Sequence, residues 1–397
     1  MKPIEQFELR NLRASFFLFG LGLMCLAPRL PDIKANLGVS TTLFGILMST
    51  GSIGALSAHL TMGHIVHRLG VYKVMVIGTI MTYVTLGILV ESSNPVVFFI
   101  FNVISGFAWA SHHIAINAQA IHRQNESGQQ IIPMLHGLWS AGAVSTAFLA
   151  LLISSRVSLN WHLYPLLVFV TLLQLRSIIR LRPTLLSGNE VTEDDEIVTL
   201  TQMLRSFSID WVVSFGFLCA IMLEVAIGDW ATILARQEFG VSKSLAVIPY
   251  FLFMGAMIIG RVNFNRFRGN LSDTKLVQPF VVIGGLIFLF GLFLGLELRE
   301  YNLYLGYAIF CLASFLCGIG ISFVGPLFFG YASARSTKPG GVAIAELGAV
   351  NQVLTFVGRN VIAVVAGIAS LQVAMIIPAV MLMLVAFFIA AASQPRN

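Results

Sequence analysis

The sequence predicts an all-α membrane protein of twelve transmembrane helices in two six-helix bundles, with both termini cytoplasmic. Three observations predict it: an apolar composition, long intervals without a charged residue, and an uneven placement of Lys and Arg. Of 397 residues 57% are hydrophobic and 11% are charged, against about 25% charged in ordinary soluble domains. That composition excludes a soluble globular enzyme. It also excludes a disordered chain, which needs low hydrophobicity and high net charge.

The intervals 35–67, 92–122, 127–155 and 301–334 hold no Asp, Glu, Lys or Arg. Each is too long for a soluble core helix, and a bilayer crossing needs roughly 20 apolar residues. The expected spans are 12–31, 41–66, 73–91, 95–122, 131–155, 161–182, 207–235, 243–266, 275–297, 302–334, 341–370 and 372–393. The first apolar run is followed by eleven more, so it is expected to be an uncleaved span and not a signal peptide. Orientation follows from the basic residues. With the N-terminus inside, seventeen of the 24 Lys and Arg fall on inner segments and six (Arg29, Lys34, Arg156, Arg236, Lys243, Arg299) on outer ones, while Arg359 lies within a span. This is the positive-inside pattern. The net charge of +6 is therefore topology information, and no basic stripe points to nucleic acid.

The longest polar connection, 183–206, carries Glu190, Glu193, Asp194, Asp195 and Glu196. It is expected to be a solvated cytoplasmic linker between bundles at 1–182 and 207–397. Cys25, Cys219, Cys311 and Cys317 all sit in apolar runs without metal-site spacing and are expected to be buried free thiols. No H-E-x-x-H occurs and the adjacent His112 and His113 point about 100° apart on a helix, so no metal site is expected. No cofactor is expected. A P-loop is lacking, as is any ordered set of nucleophile, base and orienting group, so neither direct nucleotide drive nor an enzyme is expected.

The two halves echo one another. Residues 63–73 read GHIVHRLGVYK and residues 260–269 read GRVNFNRFRG, each a short basic glycine-containing turn on the inner side. Such duplication is the mark of transporters with a site at the interface of two repeats. These turns resemble the loop signature of the major facilitator superfamily, G-x-x-x-[DN]-R-x-G-x-[RK]-[RK]. Gly63, Arg68, Gly70 and Lys73 match in the first copy, with His67 where Asp is usual. Gly260 and Arg266 match in the second, with Asn265 at the Asp/Asn position. In the family these loops gate the cytoplasmic side, and the acidic residue helps latch neighbouring helices.

The stretches RLPDIKANLGVS (29–40), INAQAIHRQ and MLHGLWSAGA within 116–143, EVAIGDW (224–230) and GIGISFVGPL (318–327) resemble a bacterial inner-membrane branch of that superfamily, loosely related to fucose-proton symporters. The resemblance implies a multi-pass protein of the bacterial inner membrane that works by alternating access. Its implied cargo is a small organic solute such as a sugar or related metabolite.

An ionisable side chain deep in a span costs about 2.5 to 3.5 kcal/mol on insertion scales and is a functional candidate by default. Glu224 lies about seventeen residues into span seven, near the midplane at ~1.5 Å per residue. It is either a proton-coupling group or a structural hydrogen-bonding one. Arg359 is its possible counter-charge, an anchor for an anionic substrate group, or a side chain snorkelling to the interface. Asp229 and Trp230 are expected at the outer interface in a structural or gating role. Glu346, nearer the cytoplasm, is expected to latch a basic turn.

Candidate substrate contacts come from three faces. Span four places Asn102, Gly106, Trp109, His113 and Asn117 on one side; span five begins with His136 and Trp139 three apart; and span eleven aligns Gln352, Thr355 and Arg359. Aromatic rings beside amide and imidazole groups suit a sugar or heterocycle, and helix packing is the alternative. His136 and Asn117 are placed to meet in an inner gate. Gly318, Gly320, Gly325 and Pro326 are expected to interrupt span ten, as a rocking helix or close packing would require.

The expected function is secondary active transport by a monomer, coupled to protons, with spans four, five, seven and eleven lining a central cavity. The alternatives are a multidrug or metabolite efflux antiporter and a non-transporting sensor signalling through 183–206.

Overall fold

A computed structural model describes residues 4–187, 207–269, 271–338 and 340–394. The acidic run of the 183–206 connection lies outside the described residues. Those described are helical throughout, without a strand, as a chain in lipid requires when every backbone group must be satisfied within its own segment. Among them eleven helical segments are long and apolar enough to cross a membrane.

The chain divides into two compact units. The first comprises Met1–Leu26, Thr50–Thr146 and Val157–Phe207; the second comprises Ala27–Ser49, Ala147–Arg156 and Ser208–Asn397. In the first unit run α1 (Gln6–Leu23), α4 (Gly51–Glu91), α5 (Pro95–Ser127), most of α6 (Ile132–Ile153) and α7 (Leu159–Leu181). Asn94 caps α5, its side chain accepting from the amides of Val96 and Val97, with Pro95 at the first helical position.

α4 is far longer than one crossing needs, and the apolar segment Thr41–Glu91 spans 51 residues. Its helical geometry fails only at Gly70 (φ 76°, ψ 160°), a backbone region essentially reserved for glycine. The separate spans expected at 41–66 and 73–91 are therefore joined by one residue and not by a loop. Val71 N beside this break donates to Leu186 O (3.1 Å). Gln119 of α5 also holds the chain leaving α7, donating to Thr184 O (2.7 Å) and accepting from Leu186 N (2.9 Å).

Small residues set the packing of the first unit. Ala55, Ala58, Ala110, Ala115 and Ala120 are all buried between α4 and α5 or their neighbours, as close helix approach in lipid favours. At the tightest crossing a Cβ on Gly106 of α5 would fall on the carbonyl of Gly51 of α4. Glu8 of α1, fully buried, takes a two-point contact from Arg123 of α5 (2.8 and 2.9 Å).

The second unit contains α2 (Leu30–Leu37), α3 (Thr41–Ser49), α8 (Trp211–Glu238), α9 (Ile248–Val262), the short α10 (Phe264–Arg268), α11 (Asp273–Leu298), α12 (Leu303–Ile321), α13 (Val324–Arg335), α14 (Gly340–Ile368), the turn α15 (Leu371–Ala374) and α16 (Ile376–Ala392). The expected interruption of span ten falls at Ser322 and Phe323, between α12 and α13, and Pro326 sits in the first turn of α13 where its missing N–H is harmless. Asp210 caps α8 and binds Arg335 (2.8 Å).

Segments from early in the chain pack within this unit. Asp32 of α2 joins buried Arg29 (2.8 Å) to Lys243 (2.5 Å), Ser49 accepts from Asn360 of α14 (2.9 Å), and Ser155 Oγ accepts from Ser244 N (3.0 Å). The four cysteines are buried and free.

Candidate functional site

In the first unit the polar face of α5 divides into two parts. Asn102 donates to Thr50 Oγ1 of α4 (3.0 Å), and Gly106 lies in the backbone crossing beside it. That end of the stripe serves helix packing. Further along, Trp109, His113 and Asn117 are half-buried, and the last two meet His136 of α6. His136 Nε2 lies 3.1 Å from Asn117 Oδ1, so the two residues expected to meet do so. The His113 ring stands edge-on to His136 with centroids 6.1 Å apart, and Trp109 is 6.4 Å from His113. Phe16 and Phe19 of α1 close the group against His136 and His113 (5.6 and 6.0 Å).

Two polar atoms here have no partner among the described residues: Trp139 Nε1, three residues on from His136, and His59 Nδ1 of α4. His59 is within electrostatic reach of His113, together with His112 and His136. His59 is one of three histidines in the charge-free interval 35–67, and nothing in its spacing sets it apart in the sequence.

His112 has a different role from its neighbour. It is fully buried, with Nδ1 near Thr79 Oγ1 (3.1 Å) and Met75 O (3.2 Å), and Nε2 near Gln174 Nε2 (3.2 Å). Donation from Nδ1 to the Met75 carbonyl and acceptance at Nε2 from the Gln174 amide satisfy a neutral ring, which ties α4, α5 and α7 together.

In the second unit the expected pairing of Glu224 with Arg359 is replaced by another. Arg359 Nε and Nη2 each stand 2.7 Å from the carboxylate of Asp229, a fork-to-fork pair between α14 and α8. The cation beside Glu224 is Arg261 of α9, at 3.9 Å. Asp229 lies five residues beyond Glu224, well round the helix, and Arg359 cannot serve both. Arg261 was counted only as an inner positive charge; its place directly after Gly260 in the second loop copy was the available signal. Its Nε donates to Ser322 O (2.9 Å) at the break between α12 and α13.

On α14, Gln352 is half-buried, and buried Thr355 Oγ1 has no partner among the described residues. Glu346 binds Lys338 and Ser208, the latter through Oγ at 3.3 Å. That is a latch to the basic turn before α14. Among the described residues no three His, Cys, Asp or Glu side chains converge as metal ligands.

The loop residues are distributed unequally. Gly63 has open space about it, Arg68 and Lys73 are exposed, and Gly70 makes the break in α4. Gly260 abuts Ser322, while Arg266 reaches Asn263 Oδ1 (3.5 Å).

Residues 14–358 match the family model of the Major Facilitator Superfamily. The chain belongs to the major facilitator superfamily. It is 27% identical over 383 residues to an uncharacterised MFS-type transporter of Yersinia pestis, covering 95% of this chain and 93% of that one. It is 24% identical over 344 residues to an uncharacterised transporter of Sinorhizobium fredii, covering 85% of each. Among solved structures it resembles a point mutant of the nucleoside transporter NupG (TM-score 0.74, 15% identity, 98% of this chain and 100% of that one). It also resembles a D-xylose-proton symporter (TM-score 0.69, 14% identity, 96% of each).

Within this major facilitator fold, the polar groups of the first unit's cluster are imidazole, indole and amide, while the second unit supplies two carboxylates with an arginine beside each. The first set can stack on and hydrogen-bond an uncharged ring. The second holds one carboxylate in a tight fork and leaves the other, Glu224, in a loose pair.

Proposed function

We propose that this protein is a proton-coupled secondary transporter of a small uncharged ring solute, a sugar or a heterocycle, in the bacterial inner membrane. Thr41–Glu91, broken at Gly70, would count as two crossings, giving twelve in all with both termini cytoplasmic, and residues 183–206 would join halves at 1–182 and 207–397. Trp109, His113, Asn117, His136, Trp139, Gln352 and Thr355 are the proposed solute contacts. The family membership supports transport, and the cargoes of the two structural neighbours, a nucleoside and D-xylose, are both ring compounds.

The observation that carries proton coupling is the contrast between the two carboxylates. Asp229 is bound at two points at 2.7 Å, whereas Glu224 is 3.9 Å from its cation and 29% exposed within an apolar helix. A loosely paired carboxylate inside a span can gain and lose a proton without dismantling the helix contacts around it.

The test is reconstitution in liposomes with an internal pH dye, adding pools of sugars, nucleosides, amino acids, organic acids and lipophilic cations. A solute-dependent pH change in the wild type that disappears in Glu224→Gln is expected, with the sign separating symport from efflux antiport. Equal movement of a radiolabelled solute in both proteins without any pH change would overturn the coupling. For whichever solute moves, His113→Ala combined with Asn117→Ala should weaken binding about tenfold or more, the weight of roughly one or two lost hydrogen bonds. Unchanged affinity by isothermal titration would remove this cluster from the site.

A further inference from the structure

We infer that the groove between the C-terminal end of α4 and the first half of α7 binds an aminophospholipid, with the primary ammonium of its headgroup seated on Glu91 and an acyl chain lying along the groove. The groove has a volume of about 740 Å³ and is walled by α4 and α7, with the start of α5 at its mouth. Every residue lining it belongs to the first unit. Val84 to Glu91 on one wall and Tyr164 to Leu172 on the other cover roughly 10 to 12 Å at ~1.5 Å per residue. That is most of one leaflet of a hydrocarbon core about 30 Å thick. On the topology proposed above, it is the outer leaflet.

The walls are apolar and open. Val84, Val168 and Leu172 are 57%, 59% and 63% exposed. The two wall hydroxyls are turned to the backbone: that of Tyr83 stands 3.5 Å from Leu18 O, and that of Thr171 donates to Leu167 O (2.6 Å). Gly87 makes the hollow. A Cβ there would meet only Tyr164 and Leu167, at 3.7 and 4.0 Å, so its missing side chain leaves free space and not a helix crossing like that at Gly106. At the rim, Trp161 in the first turn of α7 is 77% exposed, and an exposed indole at the end of a span marks the level of the headgroups.

The mouth is polar and carries a single charge. Glu91 is the one charged residue lining the groove, and its carboxylate accepts from the Asn160 amide and the Tyr164 hydroxyl, both neutral. A carboxylate offers about four lone-pair sites, so these two donors leave room for more. A primary ammonium brings three N–H donors together with the opposite charge. A quaternary ammonium brings the charge without a donor, and a headgroup of net negative charge is repelled. Beside Glu91, Asn94 commits its Oδ1 to the amides of Val96 and Val97 (2.8 and 3.4 Å). Its amide N–H groups and the Ser93 hydroxyl are then neutral donors for a phosphodiester. An anionic acceptor, neutral donors next to it and an apolar trough below match the three parts of an aminophospholipid in the order in which that molecule carries them.

Native mass spectrometry of the full chain in detergent, titrated with phosphatidylethanolamine, phosphatidylcholine or phosphatidylglycerol of identical acyl chains, tests this without knowledge of the cargo. The first lipid retained by the wild type should be held about tenfold more tightly when it is the ethanolamine lipid, the equilibrium weight of one charge-assisted hydrogen bond. Glu91→Gln, which keeps an acceptor for Asn160 and removes the charge, should hold all three alike at the choline level. Gly87→Leu fills the hollow and should lose the tightly held lipid whatever its headgroup. Val84→Trp fills it from an exposed position and decides the same point if Gly87→Leu does not run as a monodisperse peak. Equal affinity of the wild type for the three lipids, an ethanolamine preference that survives in Glu91→Gln, or unchanged retention in the filled groove overturns the inference. Tighter retention of dodecylammonium than of the ethanolamine lipid would make this a site for lipophilic cations and overturn it as well.

Discussion

Replacing Gly106 by leucine should leave little folded protein. A Cβ at this position meets the carbonyl oxygen, carbonyl carbon and Cα of Gly51, all backbone atoms of α4 that cannot rotate aside. The only relief is to separate α4 from α5, the most extensive helix pair in the first unit, and so to void the alanine contacts on either side. Overpacking of this kind costs about 3 kcal/mol or more, a large share of the roughly 5 to 15 kcal/mol that holds a domain folded. Fluorescence-detected size-exclusion chromatography should show loss of the monodisperse peak. Gly63→Ala, where nothing stands in the way, serves as the control and should run like the wild type. A normal peak and melting temperature for the leucine variant would mean that the two helices are not in backbone contact here.

The second large effect is expected at the Asp229–Arg359 pair. Asp229→Ala leaves a guanidinium that is only 16% exposed without its carboxylate, and an orphaned buried charge typically costs about 3 to 5 kcal/mol. Arg359→Met should cost a similar amount by orphaning the carboxylate. The double variant Asp229→Leu with Arg359→Met removes both charges and should recover most of the lost melting temperature, because a buried pair is worth far less than the penalty for breaking it. Additive losses in the double variant would show that the two side chains contribute separately.

The spans were legible because lipid imposes one rule on all of them, and charge-free intervals and basic turns report it directly. What the sequence did not disclose was pairing between side chains on different helices. The placement of Arg359 on a face shared with Gln352 and Thr355 was visible from its spacing, yet which carboxylate it binds depends on rotation of α8, where five residues separate Glu224 from Asp229. His112 and His113 are adjacent in sequence, and only the positions of α4 and α7 make the first a satisfied knot and the second part of a polar cluster. Asn102 fell on the same stripe as His113, but Thr50 claims its amide. The meeting of His136 and Asn117 was foreseeable because both lie near the short connection between α5 and α6, where geometry leaves little choice.

The anchoring at Gly70 has a mechanical consequence. Because α4 breaks at a single residue, and because Val71 and Gln119 both grip the chain at Thr184 to Leu186, tension applied to the chain beyond this point does not peel α7 away from its end. The load is delivered instead to α4 and α5 together, through three hydrogen bonds acting in parallel. With no slack between the arms of α4, that pull would move the first unit as a single piece.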